Sequence, residues 1–250
     1  MPPAPYRRQY LVTEHAPGSS PAQTLSRGLR ALEIITDRQD APTIAELAEE
    51  LGVHRSIAYR ILRTLEDHSL VRRDESGRLQ GAPGLAALAR GVQRDLQSAA
   101  LPELTILAND LQMSAFIVVW DHDDCVTLVT VEPRQGHATV LQRPGSRHPL
   151  SRGAPGIAIQ STMTPAEWEH VAPGHPWRDE AARAGDCGYA TSIDEVIPGV
   201  TSLAAPLRIP GQDPAALAVV YATATRTIDV DEVGRQVSAA AVAVERALGS

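Results

Sequence analysis

Residues 51–65 read Leu51-Gly52-Val53-His54-Arg55-Ser56-Ile57-Ala58-Tyr59-Arg60-Ile61-Leu62-Arg63-Thr64-Leu65, a pattern that predicts a tight turn followed by an amphipathic helix. At about 100° per residue, the apolar side chains fall on one arc of that helix: Ile57, Ala58, Ile61, Leu62 and Leu65. The opposite arc carries polar side chains: Ser56, Tyr59, Arg60 and Arg63, with Asp67 at its end. Such a helix can pack on a small domain and enter a DNA groove, where arginines bind phosphate or guanine and hydroxyls bind phosphate or base. Taken by itself, the stretch is equally consistent with a solvated arginine-rich face.

The composition limits how this chain could bind nucleic acid. Its 250 residues suffice for one or two domains with a buried core, and 43% of them are apolar. The net charge of −7 means that any DNA contact must come from a local patch and not from the overall field. All 23 basic residues are arginine, which indicates a codon bias and weakens the significance of any single arginine.

The sequence also indicates the compartment. Cys125 and Cys187 are too few for a disulfide framework, and the longest apolar run, over 215–222, is too short to span a membrane. The first residues contain no apolar signal segment. We therefore expect a cytoplasmic protein that does not associate with membranes. Residues 1–23 contain five prolines and no apolar periodicity, which predicts a mobile tail.

The residues on either side of the opening stretch favour DNA binding. Leucines at helical spacing predict a helix from Thr24, and Thr43 with Glu46 forms a capping-box signature for a second helix that Gly52 ends. Residues 70–80 predict a β-hairpin. Three helices and a hairpin in this order predict a winged helix-turn-helix over residues 24–82. The expected DNA-binding residues are Thr43, Arg55, Ser56, Tyr59, Arg60, Arg63, Arg72, Arg73 and Arg78.

A linker helix is predicted over 83–99, with a break in the helical stretch at Leu101-Pro102, and a second domain over 100–250. In that domain we expect a hairpin, a third strand, a glycine-bearing loop that leads into a helix, further short helices, two apolar strands and an amphipathic terminal helix. Strands are predicted at 116–120, 126–131, 138–142, 200–207 and 215–223, and helices at 157–162, 167–171, 180–184 and 233–248. This pattern predicts an α+β fold with helices packed on an antiparallel sheet.

The chain resembles the IclR family of bacterial transcriptional regulators over nearly all of its length after Thr24. The resemblance lies in Gly52-x-x-Arg55-Ser56, in Gly145-Ser-Arg-His-Pro-Leu150 and in Gly199-Val-Thr-Ser-Leu-Ala-Ala-Pro206. It implies a winged helix-turn-helix joined by a linker helix to a GAF/PAS-like effector-binding domain. It also implies a homodimer or a dimer of dimers, a palindromic double-stranded DNA operator and a small-molecule effector.

Three departures from the family pattern concern the effector. Gly156 is followed by Ile157 where the family commonly has lysine, Ser192 stands where an acidic residue is frequent, and the polar run of the last strand is replaced by 219–223. Fewer groups are therefore available to bind a carboxylate, which favours a neutral or aromatic effector. The expected lining residues are Ala154, Pro155, Ser192, Ser202, Val219 and Tyr221.

Two alternatives remain. The second domain could only oligomerise and bind no effector, since the same residues could simply pack against one another. An enzyme could use Cys125 beside the acidic residues of 121–124, but polar residues are expected in a hairpin turn, and no zinc-type spacing is present. We expect no catalytic residue, no metal site and no cofactor.

Overall fold

The structure, a computed structural model, describes residues 23–38, 40–134, 142–225 and 227–249. The predicted mobile tail up to residue 22 and most of the strand predicted at 138–142 lie outside the described residues. Among the helices that are described, none has the length and hydropathy needed to cross a bilayer.

Three helices and a short antiparallel hairpin form the first part of the chain, as the sequence predicts. The capping box that begins the second helix is confirmed, because the Thr43 hydroxyl accepts from the amide of Glu46 while the Glu46 carboxylate accepts from the amide of Thr43. Gly52 has φ of +63°, a left-handed conformation that favours glycine, between the second and third helices. The elements are α1 (Gln23–Asp37), α2 (Ile44–Glu50), α3 (Arg55–Asp67), β1 (Val71–Arg73) and β2 (Leu79–Gly81).

The core of this part differs from the predicted one at its edges. Ala58, Ile61, Leu62 and Leu65 of α3 are buried as expected, but Ile57 is 36% exposed. On α1 the buried side chains are Ala31, Ile34 and Ile35, whereas Leu25 and Leu29 are 65% and 54% exposed. The first two turns of α1 therefore do not pack on this core, and their leucines face outwards.

The chain divides into two compact units between Val92 and Gln93. The linker predicted as one helix is instead divided into α4 (Gly84–Ala89) and the start of α5 (Arg94–Leu111), and Gln93 between them has a left-handed φ of +45°. The predicted break at Leu101-Pro102 is wrong, because α5 continues through Pro102. Buried residues Leu96 and Leu104 pack on the same core before and after the proline, which offsets the backbone hydrogen bond that proline cannot donate.

A six-stranded antiparallel sheet in the order β5-β4-β3-β8-β7-β6 is the centre of the second unit. The predicted hairpin and the two later strands are confirmed, and two short strands are additional: 147–149 and 190–193. The strands are β3 (Ser114–Asp121), β4 (Asp124–Val131), β5 (Arg147–Pro149), β6 (Ala190–Ile193), β7 (Val200–Leu207) and β8 (Ala215–Ala222).

Helices cover both faces of this sheet, so the unit has the predicted α+β architecture. The face with Ile117 and Leu217 packs on α5 and the terminal helix, and the face with Phe116 and Val118 packs on the remaining helices. The helix predicted from Ile157 begins earlier, at Ala154, with Pro155 in its first turn, where a missing amide donor costs little. These helices are α6 (Ala154–Gln160), α7 (Pro165–Val171), α8 (Asp179–Cys187) and α9 (Val230–Ala247).

Candidate DNA-binding surface and effector cavity

The exposed face of α3 carries cations that no other described group neutralises. The side chains of Arg55, Arg60 and Arg63 are exposed, and within the described ranges they form no hydrogen bond or ion pair. Tyr59 lies on the same face and is 50% exposed. Arginines exposed on a helix of an acidic protein are suited to phosphate and guanine contacts.

His54 caps α3, a role that the sequence pattern did not reveal. Its Nδ1 accepts from the amide of Ser56 at 3.3 Å and lies 2.9 Å from the Ser56 hydroxyl. Histidine is not among the usual N-cap residues, so the pattern gave no cue. Ser56 therefore stays exposed in the first turn of α3, next to its cap.

The β1–β2 hairpin, residues 71–81, is named the wing. Its three arginines differ in the groups that they contact. Arg73 forms a bidentate ion pair with Glu66, at 2.7 and 3.3 Å, and its guanidinium lies 5.2 Å from the centre of the Tyr59 ring. Arg78 donates to the carbonyl of Ala41 at 2.7 Å, so its head ties the wing to the turn before α2. Arg72 makes only a 3.3 Å contact with the neutral side chain of Gln80. Among the wing arginines in the described part of the chain, Arg72 therefore keeps the most available charge.

Thr43, which the sequence placed among the DNA-binding residues, has its hydroxyl committed to the cap. Besides accepting from the amide of Glu46, that hydroxyl donates to the Glu46 carboxylate at 3.0 Å. The pKa of Glu46 is lowered because the amide of Thr43, and then its hydroxyl, donate to the ionised carboxylate. The structure thus gives Thr43 a local structural role.

A cavity opens on the α6 side of the sheet, in the second unit. It comprises about 410 Å³ of space between atoms, part of which is open to solvent. Its apolar walls come from the sheet, from α6 and from the loop that joins β6 to β7. The lining residues are Phe116, Gln142, His148, Gly153, Pro155, Ser192, Glu195, Val196, Ile197, Val200, Ser202 and Val220.

The structure brings half of the predicted effector residues to this cavity. Pro155, Ser192 and Ser202 line it, while Ala154 is buried beside it and donates its amide to the Ser192 hydroxyl at 2.8 Å. Val219 and Tyr221, which were also predicted to line the cavity, lie on the opposite face of the sheet. In the sheet, Ser192 pairs with Ser202 and Ser202 pairs with Val220.

Paired residues project to the same side of an antiparallel sheet and successive residues alternate, so the cavity faces Val220. Val219 and Tyr221 instead pack in the core formed with α5 and α9. A strand that is apolar on both faces gives no alternation from which this register could be read.

Two buried polar atoms in the cavity wall have no partner. His148 is 6% exposed and Ser202 is 8% exposed, and neither His148 Nε2 nor Ser202 Oγ makes a hydrogen bond to any described residue. Burial lowers the pKa of His148 to about 4, so its imidazole is neutral at physiological pH. Unpaired buried polar groups are rare and costly, which makes these atoms candidates for contact with a ligand.

An ion pair holds the loop over the cavity. Both carboxylate oxygens of Glu195 accept from Arg178, at 2.7 and 2.9 Å, and one of them also accepts from the amide of Gly153 at 2.8 Å. Arg178 lowers the pKa of Glu195 through these bonds. The loop residues Val196 and Ile197 are thereby fixed against the cavity.

Cys125, the residue on which an enzymatic alternative depends, lies inside the sheet. It is fully buried, and burial raises the pKa of its thiol, so the reactive thiolate is disfavoured. The acidic side chains of the neighbouring turn are occupied by Arg147, His122 and His175. Cys125 lies opposite His148 in the register of β4 and β5, and among the described residues no hydrogen bond joins its thiol to a base.

Comparison with known proteins shows what the first unit is similar to. Residues 24–75 match the model of the IclR helix-turn-helix domain. The transcriptional repressor IclR of Escherichia coli (strain K12) is 25% identical, with 94% of this chain and 93% of the relative covered. The glycerol operon regulatory protein of Streptomyces griseus is 27% identical, over 74% of this chain and 78% of that protein.

Solved structures match the fold of nearly the whole chain. An IclR transcriptional regulator from Alicyclobacillus acidocaldarius is 24% identical with a TM-score of 0.74, covering 90% of this chain and 98% of its own. An IclR homolog from Microbacterium hydrocarbonoxydans, complexed with 4-hydroxybenzoate, is 22% identical with a TM-score of 0.77, covering 90% and 99%.

A winged helix-turn-helix with free arginines on its third helix, followed by an α+β unit, defines a DNA-binding transcriptional regulator. The matched helix-turn-helix model and the regulators matched along the chain make the identification more specific. Residues 24–75 therefore form an IclR-type helix-turn-helix domain, and the chain is similar to IclR transcriptional regulators along nearly its whole length.

Proposed function

We propose that this regulator responds to a small-molecule effector bound in the cavity of its second unit. The observation that carries the proposal is the pair of unpartnered buried atoms, His148 Nε2 and Ser202 Oγ, in the wall of one cavity. A bound molecule would supply the missing hydrogen bonds. The 4-hydroxybenzoate complex of the Microbacterium homolog supports the binding of a small molecule by a protein of this fold.

On DNA, the proposal is that two copies of α3 enter successive major grooves of a palindromic operator, about 34 Å apart. Arg60 and Arg63 would contact base edges, and Arg55, Ser56 and Tyr59 would divide between phosphate and base. Arg72 would bind the flanking backbone. Effector binding would change the separation of the two α3 helices in the dimer. The affinity for the operator would change as a result.

The protein acts in this proposal as a homodimer or a dimer of dimers. The exposed leucines of α1, Leu25 and Leu29, support an apolar contact between copies, because two large exposed side chains one turn apart form an unburied stripe.

Thermal unfolding with a metabolite panel separates this function from the alternative in which the second unit only oligomerises. A ligand selective for the native state stabilises it by about 2.7 kcal/mol at a hundredfold excess over Kd. We expect at least one metabolite to raise the melting temperature and to shift the affinity for an operator selected from random DNA. Operator binding with no stabilising metabolite would leave oligomerisation as the role of the second unit.

A further inference from the structure

The polar groups of the cavity wall indicate which charge its ligand carries. Among the lining residues that the structure describes, none is an arginine, and the histidine is neutral because burial lowers its pKa to about 4. Among the described lining residues, the one ionised side chain is the Glu195 carboxylate. Its charge is matched by Arg178, whose guanidinium also binds Glu180 at 3.2 Å.

A carboxylate ligand would therefore enter without a counter-ion. It would lose part of its hydration beside Glu195, and Arg178, the cation that binds Glu195, is already shared by two carboxylates of the protein. Burying an uncompensated charge costs far more than hydrogen bonds from one serine and one imidazole return.

Binding of a cationic ligand is also unfavourable, because the Glu195 carboxylate is already paired with Arg178. Its two oxygens already accept three hydrogen bonds, two from Arg178 and one from the amide of Gly153. An incoming ammonium group would have to displace this arginine from a bidentate pair, and the rest of the described wall offers it no second carboxylate.

The unpartnered atoms instead match a neutral polar group. Ser202 Oγ can donate and accept, and a neutral imidazole nitrogen does one or the other. A hydroxyl or a primary amide can complement either atom, since each group has a donor and an acceptor. The remaining surface is apolar, with Phe116, Val196, Ile197 and Val220 facing the space.

Resting on the proposed effector function, we infer that the cavity binds a small uncharged molecule with an apolar body and one hydroxyl or amide group, and discriminates against carboxylates. The apolar body lies against the Phe116 side of the cavity, and the polar group hydrogen-bonds to His148 or to Ser202. The discrimination comes from the absence of a free cation in the described wall.

Calorimetric titration of the full-length protein with three probes of one shape tests this inference: benzyl alcohol, benzoate and benzylammonium at pH 7.5. We expect benzyl alcohol to bind at one site per chain and each charged probe to bind at least tenfold more weakly. At least one of Ser202→Ala and His148→Phe should weaken benzyl alcohol binding fivefold or more. Thr201→Val, which removes a hydroxyl from the opposite face of the same strand, should leave it unchanged.

The outcomes distinguish the inference from the function on which it rests. Benzoate or benzylammonium binding as tightly as benzyl alcohol would overturn the charge inference and keep a sensing cavity. Benzyl alcohol binding that survives both Ser202→Ala and His148→Phe would overturn the assigned contacts. If no probe binds at millimolar concentration and the metabolite panel also fails to stabilise the protein, both the inference and the effector function are wrong.

Discussion

Arg63 gives the most direct test of the recognition helix at the scale of one residue. Its side chain is exposed and unpaired within the described chain, on the polar face of α3. We predict that Arg63→Ala weakens operator binding by about 1–3 kcal/mol if it contacts a base, and relaxes specificity at that base pair. Titration of labelled operator at fixed salt measures this.

The control is Arg183→Ala, which removes the same charge from the second unit. It should leave operator affinity unchanged. Equal affinities for Arg63→Ala and the unmodified protein would remove Arg63 from the interface. A loss that is uniform across operator variants, with a smaller salt dependence, would make Arg63 a phosphate contact.

Ser202 and Thr201 form a matched pair, since their hydroxyls lie on opposite faces of β7. Thr201 hydrogen-bonds Thr223 at 2.8 Å, whereas Ser202 Oγ has no described partner. We predict that Thr201→Val lowers the free energy of unfolding by about 1 kcal/mol, while Ser202→Ala does not lower it, because a buried hydroxyl without a partner contributes no hydrogen bond.

Tryptophan fluorescence during urea unfolding measures both variants. Trp120, Trp168 and Trp177, the three tryptophans of the chain, all lie in the second unit, so the signal reports that unit alone. A Ser202→Ala protein that is destabilised as much as Thr201→Val would show that Ser202 bonds within the apo protein.

At the scale of elements, the wing arginines should not be equivalent on DNA. Arg73 is neutralised by Glu66, while Arg72 contacts only a neutral glutamine. We predict that Arg72→Ala lowers the slope of log affinity against log salt by about 0.9, the value for one phosphate contact in duplex DNA. Arg73→Ala should change that slope much less.

Operator titrations at four salt concentrations provide the slopes, with Arg78→Ala as a third member of the series. A slope change for Arg73→Ala as large as that for Arg72→Ala would mean that DNA displaces Glu66 from the ion pair. The wing would then be remodelled on binding, and would not be presented as the structure has it.

Thr43 was predicted both to cap α2 and to bind DNA, and the structure shows its hydroxyl in the cap. We predict that Thr43→Ala destabilises α2 locally by about 1 kcal/mol, the usual effect of losing an N-cap. Thr43→Ser, which keeps the hydroxyl, should not. Amide exchange of the α2 backbone, followed by mass spectrometry, measures this. Reduced operator affinity for a fully folded Thr43→Ala protein would restore Thr43 to the DNA-binding surface.

Elements with a local chemical signature could be predicted from the sequence. The cap at Thr43, the turn at Gly52 and the hairpin on both sides of the wing depend on residues a few positions apart. The class of the fold followed from the order of such elements. The polar face of α3 was likewise predictable, because helical periodicity places Arg60 and Arg63 together whatever packs behind them.

What the sequence could not provide depends on tertiary packing. Strands β5 and β6 contain three and four residues, too few for a periodic signal, yet β5 supplies His148 and β6 supplies Ser192 to the cavity. The side of β8 that carries Val220 could not be told from the side that carries Val219, because both are apolar. Pro102 predicted a break that packing of α5 on the core prevented.

At the scale of the whole molecule, the buried histidine of the cavity links stability to pH. The pKa of His148 is lowered from 6.5 to about 4 because burial disfavours its charged form. Between these values the unfolded chain binds a proton that the folded chain does not. Stability is therefore complete above pH of about 6.5 and falls as the pH is lowered towards 4.

Carboxylates contribute to acid unfolding in a lower range. The pKa of Glu195 is lowered from 4.5 by its bonds to Arg178, so its stabilising effect is present above about 4.5 and is lost only below that value. Between pH 4.5 and 6.5, therefore, protonation linked to His148 lowers the stability while the Glu195–Arg178 ion pair still contributes fully. Tryptophan fluorescence again reports the unit in which both groups lie.

We predict that the free energy of unfolding of the second unit falls by about 1 kcal/mol between pH 7.5 and 5.5, since a pKa difference of one unit corresponds to about 1.4 kcal/mol. In His148→Phe, which cannot take up a proton, this decrease should disappear while the loss below pH of about 4.5 remains. A decrease of the same size in the variant would assign the acid sensitivity to groups away from the cavity. A saturating neutral ligand should stabilise the protein by the same amount at pH 7.5 and 6.5, because His148 stays unprotonated in the folded chain at both values.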